Sequence, residues 1–235
     1  MKSVKQKIYH KLINNELRYN TKSIIRYKKN IVKNTMNTDK NKILELEKLK
    51  KQINSIKNCD LKKSATNLVF ADGRHDSSIM IIGEGPGANE DKEGKPFVGR
   101  AGKLLDKMLE SIKLNRNNVY ITNVVNFRPP MNRRPTEEEI DRYLPFLKKH
   151  IEIINPKILL LLGSTALNAI IGSEVVISKA RGRWVSKKIG KVNPDIIASF
   201  HPAFLMRQPD QKKYAWQDLK MIRKKISELK IKLNG

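Results

Sequence analysis

Four apolar runs in this sequence lead into side chains that are able to do chemistry. The runs span residues 79–82, 119–125, 158–162 and 196–200. The chemical groups at their ends are two carboxylates, an aromatic ring, an amide and an imidazole, supplied by Glu84, Glu90, Phe97, Asn123 and His201. Carboxylates orient water or stabilise cations, an amide pairs two edge atoms of a planar ring, and an imidazole hydrogen-bonds an oxygen that gains negative charge. Together these groups suit a planar, polar ligand.

Three of these residues also have a purely structural interpretation. Asn123 could cap or turn the chain, His201 could occupy a turn before a proline, and Phe97 could belong to the core. Their placement at successive strand ends favours a shared pocket, because open parallel sheets bind ligands beyond the carboxyl ends of their strands. The sequence therefore predicts one pocket at that edge of a sheet.

The elements that must position this pocket alternate along the chain. Helical apolar spacing separates the four runs, and it predicts helices over residues 41–58, 99–112, 136–154, 164–171 and 211–229. Thr136 and Glu139 have the spacing of a capping box, and a weaker pattern predicts an extra hairpin at residues 183–191. Strands alternating with helices predict an α/β fold, a three-layer α/β/α sandwich around a four-stranded parallel sheet.

The charge of the chain points to a polyanionic partner. There are 48 Lys and Arg against 23 Asp and Glu, a net charge of +25, and the simplest such partner is nucleic acid. The alternative is that the abundance of Lys, Asn and Ile reflects an AT-rich genome, with part of the lysine excess as solvated surface. The apolar runs are too short to cross a bilayer, so we expect a soluble protein without a membrane partner.

Residues 1–40 are predicted to form a basic extension, followed by a single domain over residues 41–235. The extension holds 11 Lys or Arg against Glu16 and Asp39 alone. It could be a helical arm that binds phosphates, a solvated tail, or an organellar targeting peptide, since such peptides are basic and poor in acids. The cytoplasm of a bacterium is the expected location.

The glycine-rich turn also has to be weighed as a dinucleotide site. Gly83, Gly85 and Ala88 satisfy the form Gly-x-Gly-x-x-Ala. That fingerprint must open directly into a helix. Pro86 and residues 91–96 are expected to prolong the loop instead, which disfavours a nucleotide-cofactor enzyme.

The ordered motifs resemble those of the uracil-DNA glycosylase superfamily, most of all its family four of bacterial and archaeal enzymes. The resemblance covers residues 46–229. It is carried by Gly83-Glu84-Gly85-Pro86-Gly87 with Glu90-Asp91, Pro96-Phe97-Val98-Gly99, Thr122-Asn123-Val124-Val125 before Arg128-Pro129-Pro130, Leu162-Gly163, Arg181-Gly182-Arg183-Trp184 and His201-Pro202-Ala203. It implies a DNA repair hydrolase that cleaves the N-glycosidic bond of uracil in DNA, releasing free uracil and leaving an abasic site.

The resemblance also implies a role for each site residue. Phe97 would stack on a flipped uracil, Asn123 would read its edge, and His201 would steady the charge of the leaving base. Glu90 would lie near C5 and help to reject thymine, and Glu84 would orient water or stabilise the cationic sugar. The candidates for DNA contacts are Arg128, Arg133, Arg181, Arg183 and Leu205. The leucine, alone or with Phe204 or Arg207, would act as a wedge in the base stack or, alternatively, be an ordinary residue packed on the sheet.

The chain departs from family four at its cofactor. Family members usually hold a four-iron, four-sulfur cluster on four cysteines, and the corresponding positions here are Ile56, Cys59, Phe127 and Tyr143. Because clusters need thiolates and Cys59 is the only cysteine, we predict no cofactor and an apolar plug instead.

The expected partner is uracil-containing DNA, single- or double-stranded, bound by a monomer. The rival function is a non-catalytic DNA-binding or polymerase-accessory protein on the same fold. The presence of both Asn123 and His201 disfavours that rival.

Overall fold

The structure, a computed structural model, describes residues 39–233. Most of the predicted basic extension lies outside the described residues, so its role stays a prediction. Residues 42–233 belong to one compact unit. Within the described part of the chain, no helix combines the length and apolar character needed to cross a membrane.

A six-stranded mixed sheet forms the centre of this unit. Its strands are β1 (Asp72–Gly73), β2 (Ile79–Gly83), β3 (Tyr120–Asn123), β4 (Ile158–Leu162), β5 (Trp184–Ser186) and β6 (Asp195–Ser199). Their order in the sheet is β1-β3-β2-β4-β6-β5. The four central strands pair in parallel, which confirms the predicted sheet, and the short edge strands β1 and β5 pair antiparallel. The stretch predicted to form a hairpin, residues 183–191, supplies one strand, β5, whose antiparallel partner β6 lies outside that stretch.

Helices cover both faces of the sheet. They are α1 (residues 39–54), α2 (Asp60–Ser64), α3 (Ala88–Glu93), α4 (Arg100–Glu110), α5 (Glu137–Ile154), α6 (Ser164–Ile170), α7 (Ile177–Ala180), α8 (Pro202–Arg207) and α9 (Lys212–Glu228). Met80 and Ile82 of β2 share a core cluster with residues of α1, α2, α5 and α6. Ile79 and Ile81 of the same strand share the opposite cluster with residues of α4, α8 and α9. Since successive side chains of a strand point to opposite faces, this division confirms the three-layer sandwich.

Strand register brings the ends of the central strands to one edge. Gly83 pairs with Asn123, and Leu162 pairs with Ser199, so β2 ends beside β3 and β4 ends beside β6. The backbone of Val125 continues the ladder by donating to the carbonyl of Glu84. The chemical groups that follow these strands are therefore gathered at the same edge.

Two helix starts can be compared with the sequence predictions: that of α5, which was predicted, and that of α3, which was not. The Thr136 side chain accepts from the backbone of Glu139, whose carboxylate accepts from the backbone of Thr136, so the predicted capping box is present. The glycine-rich turn, however, opens directly into α3, and the prediction of a prolonged loop there was wrong. That helix is short because Gly94 ends it in a left-handed conformation.

Burial of His150 makes stability depend on pH. Its Nε2 lies 2.8 Å from the hydroxyl oxygen of Tyr120, Phe70 stacks on its ring, and burial lowers the pKa of His150 to about 3. An unfolded histidine takes up its proton near pH 6.5. The folding free energy should therefore weaken as the pH falls below that value toward 3, by at most about 1.4 kcal/mol per pH unit.

Urea denaturation of His150→Gln at pH 7 and pH 5 tests this expectation. The variant should lose the part of the difference that comes from His150, because the buried imidazole no longer resists protonation, and keep the part that comes from the lowered pKa of His201. His75→Gln, a change in a loop, is the matched control and should keep the difference. An unchanged pH dependence in His150→Gln would contradict the assignment.

Candidate active site

The shared edge of the strands holds a cavity of about 180 Å³. Its walls come from the glycine-rich turn, the end of β3, the loop that precedes α5, and the start of α8. Seven of its lining residues carry polar groups or a ring able to hold a ligand: Glu84, Glu90, Phe97, Asn123, Asn132, Arg133 and His201. The pocket expected from the sequence therefore exists, and it contains the five residues that were singled out first.

Asn123 offers an amide to this cavity. The residue is only 3% exposed, and its side chain makes no hydrogen bond to any residue between 39 and 233. No buried polar side-chain atom of the described residues lacks a partner, so the polar atoms of this amide must be open to the cavity. The amide is thus available to pair with a ligand.

Gly83 allows the amide and the aromatic ring to converge. A Cβ atom at this position would lie 2.4 Å from Oδ1 of Asn123 and 2.5 Å from Cζ of Phe97. Neither distance is tolerated between non-bonded atoms, so only glycine at the end of β2 lets both side chains occupy their places. Gly163 has a comparable role at the end of β4, where a Cβ atom would lie 3.0 Å from that of His201.

The loop that carries Phe97 is held in a strained conformation. Phe97 has a φ of 55°, in the left-handed region that non-glycine residues rarely adopt. Glu90 holds the loop, since its Oε1 accepts from the backbones of Val98 and Gly99 at 2.9 and 2.8 Å, and its Oε2 accepts from Gly87 at 3.1 Å. Arg116 adds bonds to the carbonyls of Pro96 and Phe97. The Glu90 carboxylate is therefore engaged by backbone while it lines the cavity.

His201 is arranged as a neutral hydrogen-bond donor. Its Nδ1 accepts from the backbone of Ala203 at 3.2 Å, which leaves the ring proton on Nε2. Burial lowers the pKa of His201 below its ordinary value, although the negative charge of Glu84 opposes this effect. The ring also stacks on Phe97, with 5.6 Å between centroids. A neutral imidazole with a free Nε2 proton follows from these contacts.

Glu84 belongs to a polar cluster that the sequence did not reveal. The hydroxyl of Thr165 donates to Oε2 of Glu84 at 2.5 Å and accepts from Nε of Arg134 at 2.9 Å. Arg134 also lies 3.6 Å from the same carboxylate oxygen and donates to Ser164. Thr165 lies just after the end of β4. Its position beyond a strand end was the sequence signal that could have identified it as a site residue.

The fold and the cavity agree with comparisons to known proteins. The sequence profile of the uracil DNA glycosylase superfamily matches residues 70–220. The chain belongs to this superfamily.

Relatives within the superfamily identify the branch. A type-4 uracil-DNA glycosylase of Sulfurisphaera tokodaii is 42% identical over 183 residues, covering 76% of this chain and 83% of the relative. The type-4 enzyme of Thermotoga maritima is 47% identical over 150 residues (63% and 77%), and that of Archaeoglobus fulgidus is 38% identical over 181 residues (75% and 91%). The chain is a member of family four of the uracil-DNA glycosylase superfamily.

The arginines proposed for DNA contacts lie in different parts of the molecule. Arg133 lines the cavity and pairs with Glu139, and Arg128 donates to Asn132 in the same loop. Arg183 is exposed but lines a separate, apolar groove of about 340 Å³.

For two of the residues proposed for DNA contacts, Arg181 and Leu205, the structure differs from the prediction. The Arg181 side chain is 13% exposed and pairs with the fully buried carboxylate of Asp218, which also accepts from Ser199. The ion pair joins the end of α7 to α9, and the bond from Ser199 joins α9 to β6, so Arg181 has a structural role. Leu205 is 1% exposed in the core beneath α8, as in the alternative interpretation, so it cannot enter a base stack from this position.

The four positions that correspond to the family's cluster ligands lie together in the core. Cys59, Phe127 and Tyr143 are buried in one cluster with Ile56 packed against it, and Sγ of Cys59 lies 3.4 Å from the hydroxyl oxygen of Tyr143. Among the described residues, no group of His, Cys, Asp and Glu is arranged to hold a metal ion. One thiol with three side chains that offer no thiolate does not fit an iron–sulfur cluster.

Proposed function

We propose that this protein is a uracil-DNA glycosylase, which hydrolyses the N-glycosidic bond of uracil in DNA and leaves an abasic site. The observation that carries the proposal is the unpaired amide of Asn123 in the same cavity as the neutral imidazole of His201. Membership of family four supports it, because the relatives are named for this activity. The protein would act in base excision repair.

The chemistry requires the uracil nucleotide to leave the duplex. Rotation into the cavity exposes the glycosidic bond and costs less for a mispaired or single-stranded base. Asn123 then pairs with the edge of the base, and the Phe97 ring packs against it. Glu90 secures the loop that presents Phe97, and its predicted role in rejecting thymine stays a prediction.

Bond cleavage separates charge, and two groups stabilise the separated charges. The bond between C1′ and N1 breaks with its electron pair moving into the base, whose O2 becomes an oxyanion. The Nε2 proton of His201 hydrogen-bonds this oxygen, and the carboxylate of Glu84 faces the cationic sugar. Water then adds to C1′ and loses a proton to solvent, and the uracil anion takes up a proton from solvent, so that free uracil and an abasic deoxyribose result.

Thr165 is expected to position Glu84 for this step. Thr165→Val keeps the shape of the side chain but removes the donor to Oε2, so kcat for uracil release should fall about tenfold with little change in KM. Thr165→Ser retains the hydroxyl and should keep most of the activity. A loss confined to KM, or an equal loss in both variants, would contradict the assignment.

Release of free uracil from a uracil-containing oligonucleotide tests the proposed function. Asn123→Ala should abolish most of the release, whereas the exposed Asn117→Ala should not change it. DNA binding without any release by the unaltered protein would instead support the polymerase-accessory alternative. Specific binding of a dinucleotide in equilibrium dialysis would support the nucleotide-cofactor alternative.

The proposal extends to a glycosylase that works without an iron–sulfur cluster. The apolar plug formed by Ile56, Cys59, Phe127 and Tyr143 takes over the structural task, because it joins the segment after α1 to α5 and the loop after β3. Purified protein should contain iron well below one cluster per chain, and chelators should leave its activity unchanged. Tyr143→Ala should cost about 3–5 kcal/mol of stability in urea denaturation. Stoichiometric iron and sulfide would overturn the prediction.

DNA binding completes the proposal. We infer a monomer that engages uracil-containing DNA, with the basic residues 1–40 adding phosphate contacts, so that affinity falls steeply with salt. Light scattering during gel filtration tests the monomer. Removal of the extension should reduce the slope of affinity against salt.

A further inference from the structure

Met131 stands out on the surface of the described chain. Its side chain is 94% exposed, whereas the next most exposed large apolar residue, Leu44, is 57% exposed. Exposed methionines are unremarkable when they lie on mobile or featureless surface. This one lies at the tip of a braced loop.

The loop holds the methionine in an unfavourable backbone conformation. Met131 has φ 53° and ψ 22°, and Asn132 has a φ of 55°. Asparagine tolerates the left-handed region, whereas methionine is strained in it. Pro129 and Pro130 limit the backbone before the tip, and Arg128 donates to Oδ1 of Asn132 at 2.8 Å. The backbone is therefore strained at the residue whose side chain faces solvent.

The tip lies at the wall of the proposed uracil cavity. Pro129, Asn132 and Arg133, which flank it in sequence, all line that cavity. Arg128 and Arg133 flank the apolar tip in sequence, with Arg128 bonded to Asn132 and Arg133 paired with Glu139. Proteins that distort DNA insert apolar side chains between base steps, while neighbouring cations contact the phosphates. An exposed methionine flanked by arginines matches this pattern.

We propose that Met131 is the wedge of this enzyme, which enters the base stack and fills the space left by the flipped uracil. The inference rests on the proposed function and adds a substrate class, double-stranded DNA. Leu205 cannot take this role, since it is buried in the core. Met206 on α8 is the remaining apolar candidate, but it is only 38% exposed.

A wedge has a specific kinetic signature. It assists only when a stacked base must be displaced, so its removal slows duplex substrates and spares single strands. The effect is larger for a uracil paired with adenine than for one mispaired with guanine, because the pair with adenine resists opening more.

The test measures kcat/KM for uracil release from three oligonucleotides: single-stranded, paired with adenine and mispaired with guanine. Met131→Asn removes the apolar side chain but suits the left-handed backbone, and Met131→Gly does the same without any side chain. Both should lower the value for the adenine pair by roughly 10- to 100-fold and change the single strand less than about twofold. Met131→Leu should retain the activity, and Met206→Ala is the matched control that should leave all three values unchanged.

The outcomes separate this inference from the proposed function. If the unaltered protein releases no uracil from any of the three oligonucleotides, the proposed function fails. If it does, but Met131→Asn and Met131→Gly act on the adenine pair as fast as the unaltered protein, the wedge assignment fails. A duplex-specific loss in Met206→Ala alone would transfer the role to α8 and overturn the assignment to Met131.

Discussion

Alanine in place of His201 is expected to lower kcat for uracil release by about 10²–10³-fold, the usual cost of losing a preorganised donor to a developing oxyanion. KM should change little, since the hydrogen bond strengthens only as the charge develops. Single-turnover release measured at saturating protein isolates this step. His75→Ala is the matched control and should be unaffected, and a loss expressed mainly in KM would contradict the role.

The pH dependence of the same step follows from the environment of His201. Burial lowers the pKa of its imidazole, so the neutral form persists as the pH falls below the ordinary value near 6.5. Protonation would also place a proton on Nδ1, which accepts from Ala203. The contribution of His201, measured as the ratio of the rates of the unaltered protein and His201→Ala, should therefore stay level from pH 8 to below pH 6.5.

Gly83→Ala is expected to remove activity almost as completely, although glycine carries no functional group. The added methyl group would overlap both the Asn123 amide and the Phe97 ring, so one or both must shift. Displacement of positioning groups by about 1 Å costs around 10²-fold in rate, and overpacking a buried site costs about 1–3 kcal/mol of stability. Uracil release and urea denaturation of the same preparation measure both effects.

Gly94→Ala, a change at the end of α3, provides the control. Its added Cβ would lie 3.9 Å from the nearest atom, the carbonyl oxygen of Leu68, so nothing in the cavity has to move. Its φ of 69° makes alanine unfavourable there by about 1 kcal/mol. This variant should lose stability yet keep its activity, whereas activity retained by Gly83→Ala would show that the cavity adapts.

The loss of the family's cluster ligands has a simple physical consequence. A cluster joins distant segments by metal–thiolate bonds, whereas the plug joins them by packing. Packing tolerates no large voids, so the volumes of Phe127 and Tyr143 become as important here as the thiolates are elsewhere.

Much of the fold was accessible from the sequence because its signals are local. Apolar runs bounded by proline and glycine gave the four central strands, and the spacing of Thr136 and Glu139 gave the start of α5. The edge strand Asp72–Gly73 was missed, because two residues carry no periodic pattern. Helix α3 was missed because its residues are charged and follow a proline.

Part of the candidate site could be predicted from the sequence. Residues at the strand ends had to converge once the sheet was known to be parallel, and this placed Phe97, Asn123 and His201 together. Arg116 gave no local signal and Thr165 gave only its position just after a strand end, since the importance of both lies in contacts with distant segments. Arg181 and Leu205 were placed at the DNA because sequence position does not reveal which way a side chain points.

The sequence by itself determined the order of the four central strands and of the longer helices between them, the edge at which the chemical groups collect, and the absence of three of the four thiols that a cluster requires. Only the tertiary structure decided that Glu84 is held by Thr165 and Arg134, that Arg181 pairs with Asp218, and that Met131 rather than Leu205 faces outward. The reason is that periodicity and turn chemistry act over a few residues, whereas ion pairing, burial and cavity shape depend on segments that meet only after folding.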